Sequence, residues 1–234
     1  MQEILDFARG PLFRLTLALM ILGLARVLIL DIWGAISAYR RAGDKKLVWG
    51  DAVIKTIQWL FPVKRVFTRR PIYSLFSILF HVGLILVPIF FLGHVQLWKN
   101  SIGLSWWNLP EFWADLLTLT TIAFGLALIL GRLGSSSARY LSRKQDYIWI
   151  PLLIIPFITG YACANMLLSP SWYRILMLSH VLSAEVIFIF IPFTKIAHCV
   201  LMPLSQFILA LAWKFPARVD DKICTTLKKK GAPV

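Results

Sequence analysis

The stretch that decides the fold is His180–His198, HVLSAEVIFIFIPFTKIAH. Its interior is almost wholly apolar, yet a histidine closes each end, Glu185 follows the first and Lys195 precedes the second. About 20 consecutive apolar residues are enough for a helix to cross a hydrocarbon core. Lipid offers no hydrogen bonds to the backbone, so only helices and closed barrels span it, and the chain has none of the short alternating strands of a barrel. The stretch therefore reads as membrane helix. Ionisable groups inside such a helix are costly, which makes them the first place to look for function.

Composition extends this reading outward to the whole chain. Of 234 residues, 59% are hydrophobic and only 15% are charged, with a mean hydropathy of +0.73, far from the balance of a soluble domain. Five segments are long enough to span a bilayer, at 12–34, 73–98, 112–133, 147–168 and 172–203. The expected fold is an all-α integral membrane bundle of five transmembrane helices. No linker divides it, so residues 1–234 read as one domain. The N-terminal MQEILDFARG lacks a basic n-region, and the apolar run after it lacks a cleavage site, so the first span is expected to remain.

A formal charge of +14 would suggest nucleic acid in a soluble chain. Here it reads as topology, with no nucleic-acid partner. The loop 35–72 holds nine Lys or Arg, and the tail 204–234 holds six. Arg139, Arg143 and Lys144 lie between the third and fourth spans, whereas Lys99 is the one base in the connection before residue 112. Basic loops face the cytoplasm, which puts the N-terminus outside and the C-terminus inside, in the inner (cytoplasmic) membrane. Trp98, Trp106, Trp107, Trp113 and Trp172 then gather at the outer surface, as interfacial indoles do. Within the inner loop, Leu47–Phe61 is amphipathic, with Asp51 and Lys55 four residues apart; it suits either the lipid surface or a cytoplasmic partner. Cys163, Cys199 and Cys224 form no CxxC or CxxCH, which excludes a thiolate metal site, attached c-type haem and a disulfide framework.

All four histidines fall within spans: His81 and His94 in the second, His180 and His198 in the fifth. The second runs from inside to outside and the fifth returns, so depth pairs His81 with His198 and His94 with His180. As continuous helices, the two segments separate their histidines by roughly 20 Å and 27 Å. Eighteen residues return His180 and His198 to one face, but thirteen leave His81 and His94 about 140° apart, unless Pro88 kinks the helix between them. Zinc gathers three or four ligands at one depth; two imidazoles at each of two depths suit two haem irons instead. Haem propionates call for cations. Lys195, one helical turn before His198, and Arg132, at the end of the third span, are placed for them or for snorkelling to the inner headgroups.

The run HVLSAEVIFIFIPFTKIAH, with its eighteen-residue histidine spacing and its PFTK, resembles the last helix of the gamma subunit of respiratory nitrate reductase and its relatives. Those relatives include cytochrome b subunits of heterodisulfide reductase and of sulfite-reduction-linked complexes. The resemblance takes in FHVGLILVPIFFLGH (80–94) and covers roughly residues 73–205. It implies two haem b groups, an inner one on His81 and His198 and an outer one on His94 and His180. It also implies exchange with menaquinone or a related quinone near the outer haem, and a cytoplasmic iron–sulfur partner, with room for further membrane or outer-face redox subunits. Lys195 stands where the family commonly has arginine, which keeps the charge but loses the bidentate fork. The 81–94 spacing and the inner loop are longer than in the nitrate-reductase subunits, which favours another iron–sulfur partner over nitrate reduction.

A quinone site needs an apolar slot, partners for the ring oxygens and a proton exit. Near the outer haem the candidates are Gly93, Trp98, Lys99 and Asn165. Glu185 either relays a proton or bonds a hydroxyl on a neighbouring helix, and Asp115 reads as solvated. With no nucleotide loop, no activated nucleophile and no cluster-binding cysteines, the chain serves as the quinone-reactive electron-transfer subunit of a larger oxidoreductase rather than a complete enzyme. The competing class is a transporter whose histidines and Glu185 form a proton or metal path.

Overall fold

The computed structural model describes residues 1–41, 49–60, 71–167, 169–212 and 228. Among the described residues all regular structure is helical: α1 (Gln2–Phe7), a π-helical turn (Ala8–Leu12), α2 (Phe13–Arg41), α3 (Trp49–Leu60), α4 (Pro71–Phe90), α5 (Leu92–Ile102), α6 (Glu111–Gly134), α7 (Ser136–Leu141), α8 (Lys144–Ala164), α9 (Pro170–Phe190) and α10 (His198–Ala212). Five helical segments are long and apolar enough to cross a membrane: Gln2–Ser37, Pro71–Phe90, Glu111–Gly134, Lys144–Ala164 and Pro170–Phe193. The chain is a multi-pass membrane protein. Its helices form two compact units, one of Met1–Ile21 with Val63–Lys195 and the other of Leu22–Pro62 with Ile196–Val234.

In the first unit α4 packs on α6, α6 on α8, α8 on α9, and the N-terminal turns on α9. The centre is Phe80, Leu128 and Ile154, ringed by Phe76, Leu84, Ile122, Phe124 and Leu153. Helices pack in lipid through close fit and small residues rather than through water exclusion. Gly83 shows this: a Cβ there would meet the Thr121 hydroxyl and stand 2.7 Å from the Leu117 carbonyl oxygen, so α4 and α6 approach this closely only with hydrogen at that position. Buried hydroxyls are satisfied within their own helices. Thr118 donates to the Ala114 carbonyl and Thr121 to that of Leu117, each at 2.7 Å, so neither leaves a polar group unpaired in hydrocarbon.

Two of the expected spans are broken. The second, expected as one helix over 73–98, stops at Phe90; Phe91 is extended (φ −65°, ψ 133°), and α5 starts at Leu92. Pro88 lacks an N–H and weakens the last turn of α4. The carbonyls exposed there find new donors, the Trp106 indole N–H bonding Ile89 at 2.8 Å and the Leu109 N–H bonding Phe90 at 2.8 Å. Trp106 is thus a cap on a helix end. The fifth, expected as one helix over 172–203, ends as α helix at Phe190. A 3-10 turn (Ile191–Phe193), an extended Thr194 (φ −129°, ψ −179°) and a second 3-10 turn (Lys195–Ala197) follow. Pro192 removes a donor from the middle of IPFTK. Angles reckoned along continuous helices therefore do not apply to either histidine pair.

In the second unit α3 lies against α10, with the Trp49 and Phe207 rings stacked at 6.2 Å. The helix expected within Leu47–Phe61 forms, and Trp49, Val53, Ile54 and Ile57 are exposed along it. The Asp51 side chain, Lys45, Lys46, Lys64, Arg65, Arg69, Arg70, most of the tail beyond 212 and Cys224 lie outside the described residues.

Candidate functional site

The break at Phe91 is what builds the site. His94 turns back along α4, and its Nδ1 donates to the Val87 carbonyl at 3.2 Å. In an unbroken helix a residue seven positions on is roughly 10 Å further along the axis, beyond reach of that carbonyl. From α9, His180 Nδ1 donates to the Pro156 carbonyl on α8 at 2.8 Å, with Thr159 Oγ1 3.4 Å away. A carbonyl only accepts, so both Nδ1 atoms carry the proton and both Nε2 atoms keep a lone pair. Neither Nε2 makes a hydrogen bond among the described residues.

The centroids of these two rings lie 5.9 Å apart, with planes 8° from parallel. Two imidazole nitrogens each about 2.0 Å from one metal set the ring centres roughly 6 Å apart. Backbone carbonyls on Nδ1 are the usual outer-shell device for holding a ligating histidine in one tautomer. Among the described residues no three His, Cys, Asp or Glu side chains come together. Two imidazoles whose Nε2 atoms are unused could hold one metal ion, either a free ion or a haem iron.

The seat of His180 also depends on Gly160. A Cβ on Gly160 would stand 2.8 Å from the ring's Cε1 and 3.0 Å from Nδ1, so the imidazole lies directly on the α8 backbone. Pro156, Thr159 and Gly160 form this seat, and Val87 steadies the other ring; sequence reasoning singled out none of the four. The PFITG run offered a weak signal, a small residue one turn after a proline on one helical face.

The other two histidines belong to different units. His81 is half-buried in the first; its Nδ1 bonds the Ser77 carbonyl at 2.6 Å, and its ring meets the Phe80 edge at 5.6 Å. His198 opens α10 in the second and is exposed.

Lys195 and Arg132 converge on a carboxylate that the sequence reading passed over, Asp146. Lys195 Nζ bonds both its oxygens, at 2.7 and 2.8 Å, and Arg132 Nη1 lies 3.6 Å from Oδ2. Arg132 also reaches Ser142 Oγ at 3.4 Å and the Tyr73 hydroxyl at 3.3 Å, while its Nε is buried without a partner. Two cations around one anion leave a net positive charge, and the orphaned Nε is a place for one more acceptor. The depth argument applied to the histidines would have found Asp146, the acid at the start of the fourth span.

The quinone candidates are less concentrated. Trp98 packs edge-on against Phe13 at 5.7 Å and near Trp106 at 5.9 Å. Asn165 donates to Asp115 at 3.3 Å and to the Tyr161 carbonyl at 3.1 Å, an exposed link between the third and fourth spans. Gly93 and Lys99 are exposed on α5. Glu185 is 3% exposed, and among the described residues both of its oxygens lack a hydrogen-bond partner, a neighbouring hydroxyl included.

No protein-family model matches the chain. No solved structure matches it either. A protein of Nitratidesulfovibrio vulgaris, described simply as "Protein", is 31% identical over 156 residues, which is 66% of this chain and 68% of the relative. The chain belongs to the same family as that N. vulgaris protein.

Proposed function

We propose that the chain is a dihaem b-type cytochrome subunit of a membrane redox complex, exchanging electrons between a menaquinone-like quinone and a cytoplasmic iron–sulfur partner. One observation carries the reading: the His94 and His180 rings, held 5.9 Å apart by carbonyl bonds that leave both Nε2 lone pairs for one metal. Haem bound between two imidazoles supplies one-electron transfer, because closed axial positions disfavour oxygen chemistry.

The chain's own part is to hold and to charge-balance. His94 and His180 would hold the outer haem iron, kept in one tautomer by Val87 and Pro156. His81 and His198 remain the proposed inner ligands on the sequence pattern. Arg132 and Lys195, around Asp146, would meet the propionates of the inner haem. Gly93, Trp98, Lys99 and Asn165 remain the proposed quinone neighbourhood. The proposed orientation, N-terminus outside and C-terminus inside the cytoplasmic membrane, rests on where the basic residues fall. The basic inner loop and tail would give a cytoplasmic partner an electrostatic landing surface.

One feature favours a second reading, a proton-conducting transporter: Glu185, buried without a partner, is the kind of carboxyl a proton path uses. A visible spectrum of purified protein separates the two. A cytochrome shows a Soret band that shifts and sharpens on dithionite reduction, and a transporter is colourless.

A further inference from the structure

The two cations read from the sequence as propionate partners meet at one carboxylate. Arg132 and Lys195 meet at Asp146, and the exposed Lys99 is the one base assigned near the His94–His180 pair. A haem there would bring two propionates of its own, and burying a carboxylate in a membrane without a cation is costly.

The N-terminal segment supplies the missing charge. Pro11 has no N–H and crowds the carbonyl four residues earlier, which widens the helix into the π-helical turn Ala8–Leu12; such turns recur at functional sites. Arg9 sits in that turn, half-buried, and the turn packs against α9. Its neighbours Leu5, Ala8 and Phe13 are buried, and Phe13 touches Phe188 of α9 and Trp98 of α5, so the turn is held fast. Arg9 is close enough to act electrostatically on the His180 ring and on Cys163 of α8. Among the described residues its guanidinium has no hydrogen bond and no ion pair. The nearest acid in sequence, Asp6, accepts instead from Gln2 Nε2 at 2.9 Å. A half-buried arginine with its donors unused, in a turn packed against the helix that carries His180, is built for an anionic oxygen ligand.

We propose that Arg9 binds a carboxylate of the group held between His94 and His180, namely a propionate of the outer haem. This rests on the haem reading above. Arg9 acts on the iron through the propionate and is a positioning and charge-setting residue. A unit positive charge about 10 Å away, at an effective dielectric constant of about 20, favours the reduced iron by roughly tenfold in equilibrium constant.

The test is a spectroscopic redox titration of the purified full chain, as wild type, Arg9→Gln and Arg9→Lys, with haem counted and a thermal melt recorded for each. The expected result is that Arg9→Gln lowers the potential of one haem by about tenfold in its reduction equilibrium, leaves the other unchanged, and that Arg9→Lys retains most of the wild-type value. Two haems with both potentials unchanged in Arg9→Gln would overturn the assignment. So would loss of co-purified anionic phospholipid with unchanged potentials, which would make the ligand a headgroup phosphate. Should Arg9→Gln fail to fold, Arg9→Met takes its place: the same one-haem shift of about tenfold supports the assignment, and no shift overturns it. A wild type without haem would instead sink the reading on which the proposal stands.

Discussion

Gly160→Ala is the change that tests the seat of His180 most sharply. The added carbon would stand 2.8 Å from the ring's Cε1 and 3.0 Å from Nδ1. Carbon atoms rest about 3.5–4.0 Å apart, so the ring must retreat by roughly 0.7 Å or more. It has little freedom to do so, because Nδ1 is bonded to Pro156 at 2.8 Å and a retreat of that size stretches the bond to its geometric limit. The 5.9 Å spacing to His94 is disturbed by the same movement. Loss of an outer-shell partner of a metal-bound histidine costs roughly 10- to 100-fold in affinity. The assay is haem content per chain by pyridine haemochrome, together with the low-spin spectrum of each haem. We expect one haem of two to be lost or to change its low-spin signature, with the other unaffected. Two haems with wild-type spectra and potentials in Gly160→Ala would refute the reasoning.

Three further outcomes follow from the packing. Gly83→Ala should destabilise by about 1–3 kcal/mol, since its Cβ meets backbone on α6 that cannot step aside; an unchanged melting temperature in detergent would mean that α4 and α6 are less tightly fitted. Asp146→Asn should cost about 1–2 kcal/mol, discounted because the Lys195 side chain is 48% exposed; a double-mutant cycle with Lys195→Met that returns no coupling would contradict the pair. Glu185→Leu should raise thermal stability by about 1–3 kcal/mol by removing a buried carboxyl that has no partner. A lower melting temperature would show that Glu185 is held by an interaction not described above.

What could be read from the sequence was what sums over many residues. Each span is legible because some twenty apolar side chains carry one message, and in the first, third and fourth the helices extend through the expected ranges to within a few residues, Leu168 being outside the described residues. The nearness of His94 and His180 was legible for the same reason: counting residues inward from the ends of the spans pairs them, and the structure brings those two rings together. Where a proline bends a helix and where it ends one was not legible. Pro151 and Pro156 sit inside an unbroken α8, whereas the helices near Pro88 and Pro192 stop. The difference lies in whether other groups, such as the Trp106 indole, are at hand to satisfy the freed carbonyls, which is a tertiary matter. Arg9 was missed because it gains meaning only from what stands opposite it on another element, whereas Asp146 and Gly160 left signals, depth and the PFITG run, that were passed over.

Haem content measures the central claim most directly. Purified protein, extracted into alkaline pyridine and reduced, should yield two protohaem groups per chain, falling to one in His94→Ala or His180→Ala. Absence of protohaem from well-folded wild-type protein would contradict the account, and the paired imidazoles would then need another ligand.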